Sequence, residues 1–164
     1  MTWLFRQAQP DDLNVMMGLE TATFGIHAWS AETMLADVTQ PHCYYLVASH
    51  PDRPDAIAGY AGLLCPQGAS DADIQTIAVA ESARRSGLGR VLMASLLAEA
   101  RQRGAQRAFL EVRADNQGAH KLYDSLGFVS IGVRPAYYQP DGVDAIVMKC
   151  EFVAARGILP EDQK

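Results

Sequence analysis

Apolar residues recur along this chain at two spacings, one typical of strands and the other of helices. Short apolar runs predict seven strands, at residues 3–8, 43–49, 56–65, 73–80, 109–112, 128–133 and 145–152. Apolar residues three or four positions apart predict four helices, at residues 10–24, 30–38, 87–103 and 116–126. Ser30 is a favourable helix N-cap, and Gly104 and Gly127 are typical of the positions that follow a helix.

The order of these elements predicts a mixed sheet. His50 to Asp55 contains two prolines and two aspartates, so it should form a hairpin loop between antiparallel strands. The helix at residues 87–103 lies between the fourth and fifth strands, as in a parallel crossover. We therefore expect an α/β fold with a mixed, mostly antiparallel sheet, one parallel pair of strands and about four flanking helices. The inner side of the third helix should carry Leu88, Val91, Leu92, Ser95, Leu96 and Ala100.

The composition is that of an ordinary globular chain. Of its 164 residues, 49% are hydrophobic and 20% are charged, which is enough apolar material for a sizeable core. We expect a single domain over residues 1–152. Residues 153–164 have no clear periodicity and are expected to form a C-terminal tail.

Charge and apolar segments exclude several classes of protein. The net charge is −5, and no basic run is longer than Arg84-Arg85, so the basic patch of a nucleic-acid-binding protein is missing. The N-terminus does not resemble a signal peptide, and no apolar stretch approaches the roughly 20 residues of a membrane span. We expect a cytoplasmic protein that binds neither nucleic acid nor a membrane.

The cysteines and histidines form no pattern typical of a metal site or a nucleophile. Cys43, Cys65 and Cys150 are odd in number and contain no Cys-x-x-Cys pair, which favours buried thiols in a reducing compartment. Only Cys43 has a neighbouring histidine, His42, so a cysteine nucleophile is the weaker alternative. The four histidines show no paired ligand spacing, and we expect no metal.

The segment from Ile77 to Met93 joins an apolar strand to a glycine-bearing turn and then to a helix. The first N–H groups of a helix lack intrahelical partners and lie at its positive end, so this turn can bind phosphate. Gly87 and Gly89 permit close approach. A dinucleotide fingerprint would need a third glycine, and a P-loop would need Lys-Ser/Thr after the second; neither is present. By itself, the segment is also consistent with a surface turn that carries three solvated arginines, Arg84, Arg85 and Arg90.

Two motifs together resemble the signature of the GCN5-related N-acetyltransferase (GNAT) family. The first is Arg84-x-x-Gly87-x-Gly89 after a strand, and the second is Asn116-x-x-Ala-x-x-Leu-Tyr123-x-x-Leu-Gly-Phe128 after another strand. The similarity runs from about residue 73 to residue 148, and it resembles the ribosomal-protein-alanine N-acetyltransferases (RimI type) in particular. It implies the GNAT fold.

The resemblance implies that acetyl-coenzyme A is the acetyl donor. Its carbonyl would lie against N–H groups of residues 77–79, where a strand splayed from its neighbour would leave donors free, as in an oxyanion hole. From the residues alone, a fully paired central strand is the alternative. Coenzyme contacts are expected at Ile77, Ala78, Val79, Arg84, Arg85, Ser86, Gly87, Leu88, Gly89, Arg90 and Asn116.

Glu111 and Tyr123 fall where RimI-type enzymes carry their base and their acid. Glu111 lies in an apolar strand, where burial would raise its pKa towards that of a useful base. The alternative is a glutamate that faces outwards or pairs with an arginine such as Arg113. Tyr123 would protonate the departing thiolate or position the coenzyme, unless it is a core tyrosine bonded to a carbonyl. Asn116 can cap the following helix as well as contact the coenzyme.

The acceptor groove is expected to be lined by Trp29, with Ala28 where the family commonly has proline, and by Tyr137 and Tyr138 in a loop between the last two strands. Packing of these loop tyrosines on the sheet is the alternative. The implied function is direct acetyl transfer to a protein N-terminal amine, the alanine terminus of a small-subunit ribosomal protein. Lysine, polyamine or small-molecule acetylation and an acyl-coenzyme A sensor are the alternatives; retention of Glu111 and Tyr123 argues against the sensor.

Overall fold

The computed structural model describes residues 2–152, within which seven strands and four α-helices are present. The strands are β1 Leu4–Gln7, β2 Cys43–Ser49, β3 Ile57–Leu64, β4 Asp71–Val79, β5 Arg107–Arg113, β6 Val129–Tyr138 and β7 Val143–Glu151. The α-helices are α1 Leu13–Phe24, α2 Ala31–Thr39, α3 Leu88–Arg103 and α4 Gln117–Ser125. The elements expected from the sequence are therefore confirmed, whereas the expected tail at residues 153–164 lies outside the described residues.

The strands form one mixed sheet in the order β1-β2-β3-β4-β5-β7-β6. Only β4 and β5 are parallel, as predicted, and every other pair is antiparallel. The parallel pairing joins Asp71–Asp73 to Arg107–Phe109 and goes no further, although both strands continue. The sheet therefore opens between the carboxyl-terminal parts of β4 and β5.

A β-bulge in β4 accompanies this opening. Gly62 pairs with Thr76 while Leu63 pairs with Ile74, so Gln75 is an extra residue in β4. A bulge bends its strand and reverses the alternation of side chains beyond it. Accordingly, Ile74 belongs to the core beneath α3, whereas Thr76 points to α1 on the other face of the sheet.

Two apolar cores lie on opposite faces of the sheet. One contains α3 and α4 residues, and the other contains Met16 of α1 and Met34 of α2. The inner face of α3 differs in part from the prediction, because Val91 is exposed while Met93 and Leu97 are buried. Leu88, Leu92, Leu96 and Ala100 form one buried row along α3, and apolar residues lie on both sides of this row. Spacing alone therefore did not decide which side packs against the sheet.

The last hairpin also differs from the prediction. Strand β6 continues to Tyr138, which pairs with Val143, and the ladder is irregular between Arg134 and Tyr138. Ala136 takes a positive φ of 50° in this irregular part. Tyr137 and Tyr138 therefore lie at the end of a strand and not in a loop, because β7 begins at Val143, early enough to pair with Tyr138.

Candidate active site

A cleft of about 1560 Å³ lies at the opening between β4 and β5. Its walls come from α1, the segment that follows α1, β4, the turn before α3, β5, α4 and β6. Twelve of the sixteen residues predicted for the site line it, and they are Trp29, Ile77, Ala78, Val79, Arg84, Arg85, Gly89, Glu111, Asn116, Tyr123, Tyr137 and Tyr138. The other four, Ser86, Gly87, Leu88 and Arg90, lie beside them in the turn and first residues of α3.

Backbone donors of β4 face the cleft. The Ala80 N–H, just after β4, donates to the carbonyl of Ala58 in β3 over 2.7 Å. Because hydrogen bonds alternate along an antiparallel pair, the backbone groups of Ile77 and Val79 point away from β3, towards the opening. No ladder pair joins this part of β4 to β5. The alternative of a fully paired central strand is therefore wrong beyond Asp73, and these two N–H groups can donate hydrogen bonds into the cleft.

The turn before α3 leaves three further donors free of intrahelical bonds. Gly87 is the N-cap of α3 with a φ of 84°, and the first bond of the helix runs from Val91 N–H to Gly87 O over 3.1 Å. The N–H groups of residues 88–90 precede that bond. Arg84 Nε donates to the Val79 carbonyl over 3.1 Å, which holds the turn against the end of β4. This geometry suits a phosphate group at the helix N-terminus.

Glu111 is exposed, so the expectation that its carboxylate is buried is wrong. Its neighbours Leu110 and Val112 are buried on the other face of β5, whereas the face that carries Glu111 borders the cleft. Arg134 Nε donates to Glu111 Oε2. The outward-facing, arginine-paired alternative therefore holds, although the partner is Arg134. Arg113 pairs with Asp115 and Asp141 instead.

Tyr123 has only 7% of its surface exposed, and it lines the cleft from α4. Burial raises the pKa of Tyr123 to about 12, and the neighbouring Tyr138 adds to the rise. Its hydroxyl makes no hydrogen bond within residues 2–152, so the alternative of a carbonyl-bonded core tyrosine has no support there. The side chain is a neutral phenol at physiological pH and can donate a proton or a hydrogen bond into the cleft.

Asn116 serves as the cap of α4, as expected. Its side-chain oxygen accepts a hydrogen bond from the Ala119 N–H over 3.1 Å. The side chain also lies at the wall of the cleft. Capping therefore fixes its position without removing it from reach of a ligand.

Aromatic side chains form the wall opposite the helix turn. The Tyr137 and Tyr138 ring centroids are 5.1 Å apart, edge to face, and His27 packs against Tyr138 at 5.2 Å. Tyr137 is 51% exposed, whereas Tyr138 and Trp29 are partly buried. These contacts join the segment after α1 to the end of β6.

Several polar residues that line the cleft were not predicted for the site, among them Glu20, His27, Asp73 and Arg134. Glu20 lies one helical turn beyond the buried Met16, and a carboxylate on the apolar face of a helix was a signal that could have found it. Burial, with smaller contributions from Asp71 and Glu111, raises the pKa of Asp73. The position of Arg134 beside Glu111 depends on strand pairing, for which the sequence contains no local signal.

Residues 2–152 contain neither a cluster of metal-ligating side chains nor a helix that could cross a membrane. No group of three or more His, Cys, Asp or Glu side chains there is placed to hold a metal ion. None of the helices in that range has the length and apolar character needed to cross a membrane.

The fold and the cleft define the class of the protein. Residues 13–128 match the model of the acetyltransferase (GNAT) family, and the chain belongs to that family. It is an acetyl-coenzyme A-dependent N-acetyltransferase, as the two motifs predicted.

Relatives with named activities are similar over most of the chain. The N-alpha-acetyltransferase RimI of Mycobacterium tuberculosis is 34% identical over 134 residues, which cover 80% of this chain and 81% of that protein. The crystal structure of the ribosomal-protein-S18-alanine N-acetyltransferase from Escherichia coli superposes with a TM-score of 0.80 at 29% identity, covering 92% of this chain and 94% of that one. The resemblance to RimI-type enzymes is thereby confirmed.

One relative is much longer than this chain. An uncharacterised protein of Mycobacterium leprae is 36% identical over 145 residues, which are 87% of this chain. They are only 39% of that protein, so the chain spans less than half of the relative's length.

Proposed function

We propose that this enzyme transfers the acetyl group of acetyl-coenzyme A to a protein N-terminal α-amine, with the alanine terminus of a small-subunit ribosomal protein as the acceptor. The observation that carries the proposal is the exposure of Glu111 beside Arg134. The carboxylate lines the cleft, where it can accept a proton from an incoming amine directly or through one water.

Amine acidity separates the two main classes of acceptor. An α-ammonium has a pKa of about 7.7–8.0, whereas that of a lysine side chain is about 10.4. The difference of about 2.5 units corresponds to roughly 3.4 kcal/mol in favour of the terminus. The names of the Mycobacterium tuberculosis and Escherichia coli relatives support the same class of acceptor, and the latter supports the ribosomal protein.

Each part of the cleft has a role in the proposed transfer. The turn at residues 84–90 binds the phosphates of the coenzyme, and Asn116 contacts its arm. The N–H groups around Ile77 to Val79 polarise the acetyl carbonyl. Trp29, Tyr137 and Tyr138 hold the first residues of the acceptor.

The proposed reaction is a direct attack in a ternary complex. Glu111 accepts a proton from the α-ammonium, directly or through water, and the neutral nitrogen attacks the carbonyl carbon. The new C–N bond forms as the C–S bond breaks, and the nitrogen, which is positively charged after the attack, loses its second proton to solvent. Glu111 returns the proton it accepted to solvent as well. Tyr123 donates its hydroxyl proton to the leaving sulfur, which departs as the free thiol, and the phenol regains a proton through solvent.

A pair of matched peptides tests this function. One begins Ala-Arg with a free terminus, and the other has the same residues, a blocked terminus and one internal lysine. We expect acetylation of the free terminus at least about tenfold faster, with mass spectrometry locating the acetyl group. Preferential modification of the lysine, or of spermidine in a parallel reaction, would contradict the N-terminal acceptor and leave the family assignment intact.

A further inference from the structure

Glu20 is a fully buried carboxylate below the acceptor side of the cleft. Its Oε1 accepts hydrogen bonds from the Tyr60 hydroxyl and, over 2.8 Å, from the Thr76 hydroxyl. Its Oε2 accepts a hydrogen bond from the Trp29 backbone N–H over 3.0 Å. One side chain of α1 thus joins β3, β4 and the segment that leads into α2.

The burial of this carboxylate calls for an explanation. It forms no ion pair with any residue in the range 2–152, so only its hydrogen bonds offset the loss of hydration. An apolar residue would fill the same place in the core at lower cost. The carboxylate instead supplies two acceptor atoms that point in different directions, one towards β4 and one towards the segment after α1.

The two ends of this connection are both parts of the site. Thr76 immediately precedes Ile77, whose N–H faces the cleft. Helix α1 ends at Phe24, and Gly25, with a φ of 56°, follows it. Trp29 lies four residues beyond Gly25, before α2. In the same segment, His27 packs against Tyr138. Tyr138, Tyr137 and Trp29 are the aromatic residues proposed to hold the acceptor, and together they are called the acceptor wall.

We propose that Glu20 is a positioning residue, which sets the distance between the acceptor wall around Trp29 and the strand that holds the acetyl carbonyl. Through its two oxygens it fixes the place where the acceptor's first residue lies relative to β4. This inference rests on the proposed N-terminal acetylation for its effect on the KM of the acceptor. The connection itself can be measured without any acceptor.

Two conservative variants separate the reach of the side chain from its charge. Glu20→Gln keeps the length, and its amide can turn so that the oxygen accepts from the Trp29 N–H while the NH₂ donates to the two hydroxyls. Glu20→Asp keeps the charge but is shorter by one carbon–carbon bond, about 1.5 Å, so it cannot hold both ends. A positioning role and a role of the charge therefore predict opposite orders for the two variants.

The kinetic test uses acetyl-coenzyme A and the Ala-Arg peptide described above. We expect Glu20→Asp to raise the peptide KM about tenfold, the scale of one lost hydrogen bond to a charged group, with kcat changed less than about threefold. Glu20→Gln should stay within about threefold of the parent in both constants. Binding of acetyl-coenzyme A, measured by calorimetry, should be unchanged in both. A Glu20→Gln variant that is impaired as much as Glu20→Asp, or more, would overturn the proposal.

Hydrogen exchange tests the connection without any acceptor. The Trp29 amide should exchange faster in Glu20→Asp than in the parent and in Glu20→Gln, while amides of α3 keep their protection. An unchanged Trp29 amide in a folded Glu20→Asp variant would overturn the proposal. If exchange behaves as expected but neither variant acts on the peptide differently from the parent, the connection stands and its role in acceptor positioning is overturned. If the parent fails to acetylate the peptide, the proposed function is the claim that fails.

Discussion

Arg134 of β6 reaches across β7 to donate to the Glu111 carboxylate of β5. Glu111 pairs with Val147 of β7, and Arg134 pairs with Ala145 two residues earlier, so the two side chains lie on neighbouring rungs of the same part of the sheet. The contact holds the carboxylate at the wall of the cleft. It also means that the base of the proposed reaction has a cation beside it throughout.

Replacement of Glu111 by glutamine tests its role as the base. The amide keeps the shape of the side chain but accepts no proton, so we expect kcat to fall by about 10²-fold or more at pH 7. Binding of acetyl-coenzyme A should barely change, because Glu111 lies away from the turn at α3. Steady-state kinetics with the peptide and calorimetry with the coenzyme measure the two quantities.

Arg134→Gln is the matched control for this variant. It removes the partner of Glu111 while leaving the carboxylate, and we expect it to retain far more activity than Glu111→Gln. Near-native turnover by Glu111→Gln, or an equal loss in both variants, would show that the pair has a structural role and that another group accepts the proton.

The turn before α3 yields a second prediction. A Cβ added at Gly89 would lie 3.6 Å from Leu122 Cδ2, which is an ordinary contact, so the fold tolerates a side chain there. A bulky side chain would, however, obstruct the first turn of α3, where N–H groups meet the phosphates. We expect Gly89→Val to weaken acetyl-coenzyme A binding at least about tenfold in a calorimetric titration.

A glycine elsewhere provides the control for this substitution. An added Cβ at Gly18 in α1 would meet nothing within 4 Å, and Gly18 does not line the cleft. Gly18→Val should therefore leave coenzyme affinity unchanged. Equal coenzyme affinity in folded Gly89→Val and the parent would remove the turn from the coenzyme site.

The sequence predicted the elements better than the environments of their side chains. The turn at Gly87 and the cap at Asn116 depend on local chemistry, so they could be found from neighbouring residues. The surroundings of Glu111 depend on the separation of β5 from β4 after three paired residues. No pattern of neighbouring residues in the sequence predicts this separation. The same holds for Arg134, whose approach to Glu111 depends on the order of β5, β7 and β6.

Asp73 offers a prediction about stability. Burial raises its pKa above the usual 3.8, so the folded protein holds the proton more tightly than the unfolded chain. The contribution of this group to stability is thus fully present below pH 3.8 and is lost as the pH rises through the folded pKa. We expect Asp73→Asn to raise the urea midpoint at pH 7 and to leave it unchanged at pH 3.

The neighbouring Asp71 serves as the control for this stability change. Asp71 Oδ1 accepts from Arg107 Nη1 over 2.8 Å, so its charge has a partner that the charge of Asp73 lacks among the described residues. Asp71→Asn should not raise the midpoint at pH 7. If the urea midpoint of Asp73→Asn at pH 7 is equal to or below that of the parent, the ionised Asp73 carboxylate does not destabilise the folded protein.

Tyr123 offers a prediction about catalysis, because its pKa of about 12 determines the pH range over which its proton is available. The phenol stays protonated from pH 7 to about pH 10. If it protonates the leaving sulfur, Tyr123→Phe should lower kcat about 10²-fold, and by the same factor throughout that range. A thiol-release assay at several pH values measures this, and a loss that disappears towards pH 10 would contradict an acid with this pKa.

The same pKa fixes the sign of an effect on folding. An unfolded tyrosine ionises near pH 10, so between about pH 10 and pH 12 only the unfolded chain loses this proton. The contribution of the Tyr123 proton to the free energy of unfolding is fully present below pH 10 and is lost as the pH rises towards 12. Tyr123→Phe lacks this group, so its free energy of unfolding should fall less than that of the parent. Because Tyr45 and Tyr60 are also buried with raised pKa values, the difference between parent and variant is the quantity that isolates Tyr123. Urea unfolding at pH 8 and pH 11 measures that difference, and an equal loss of stability in both proteins would place the phenol in contact with solvent.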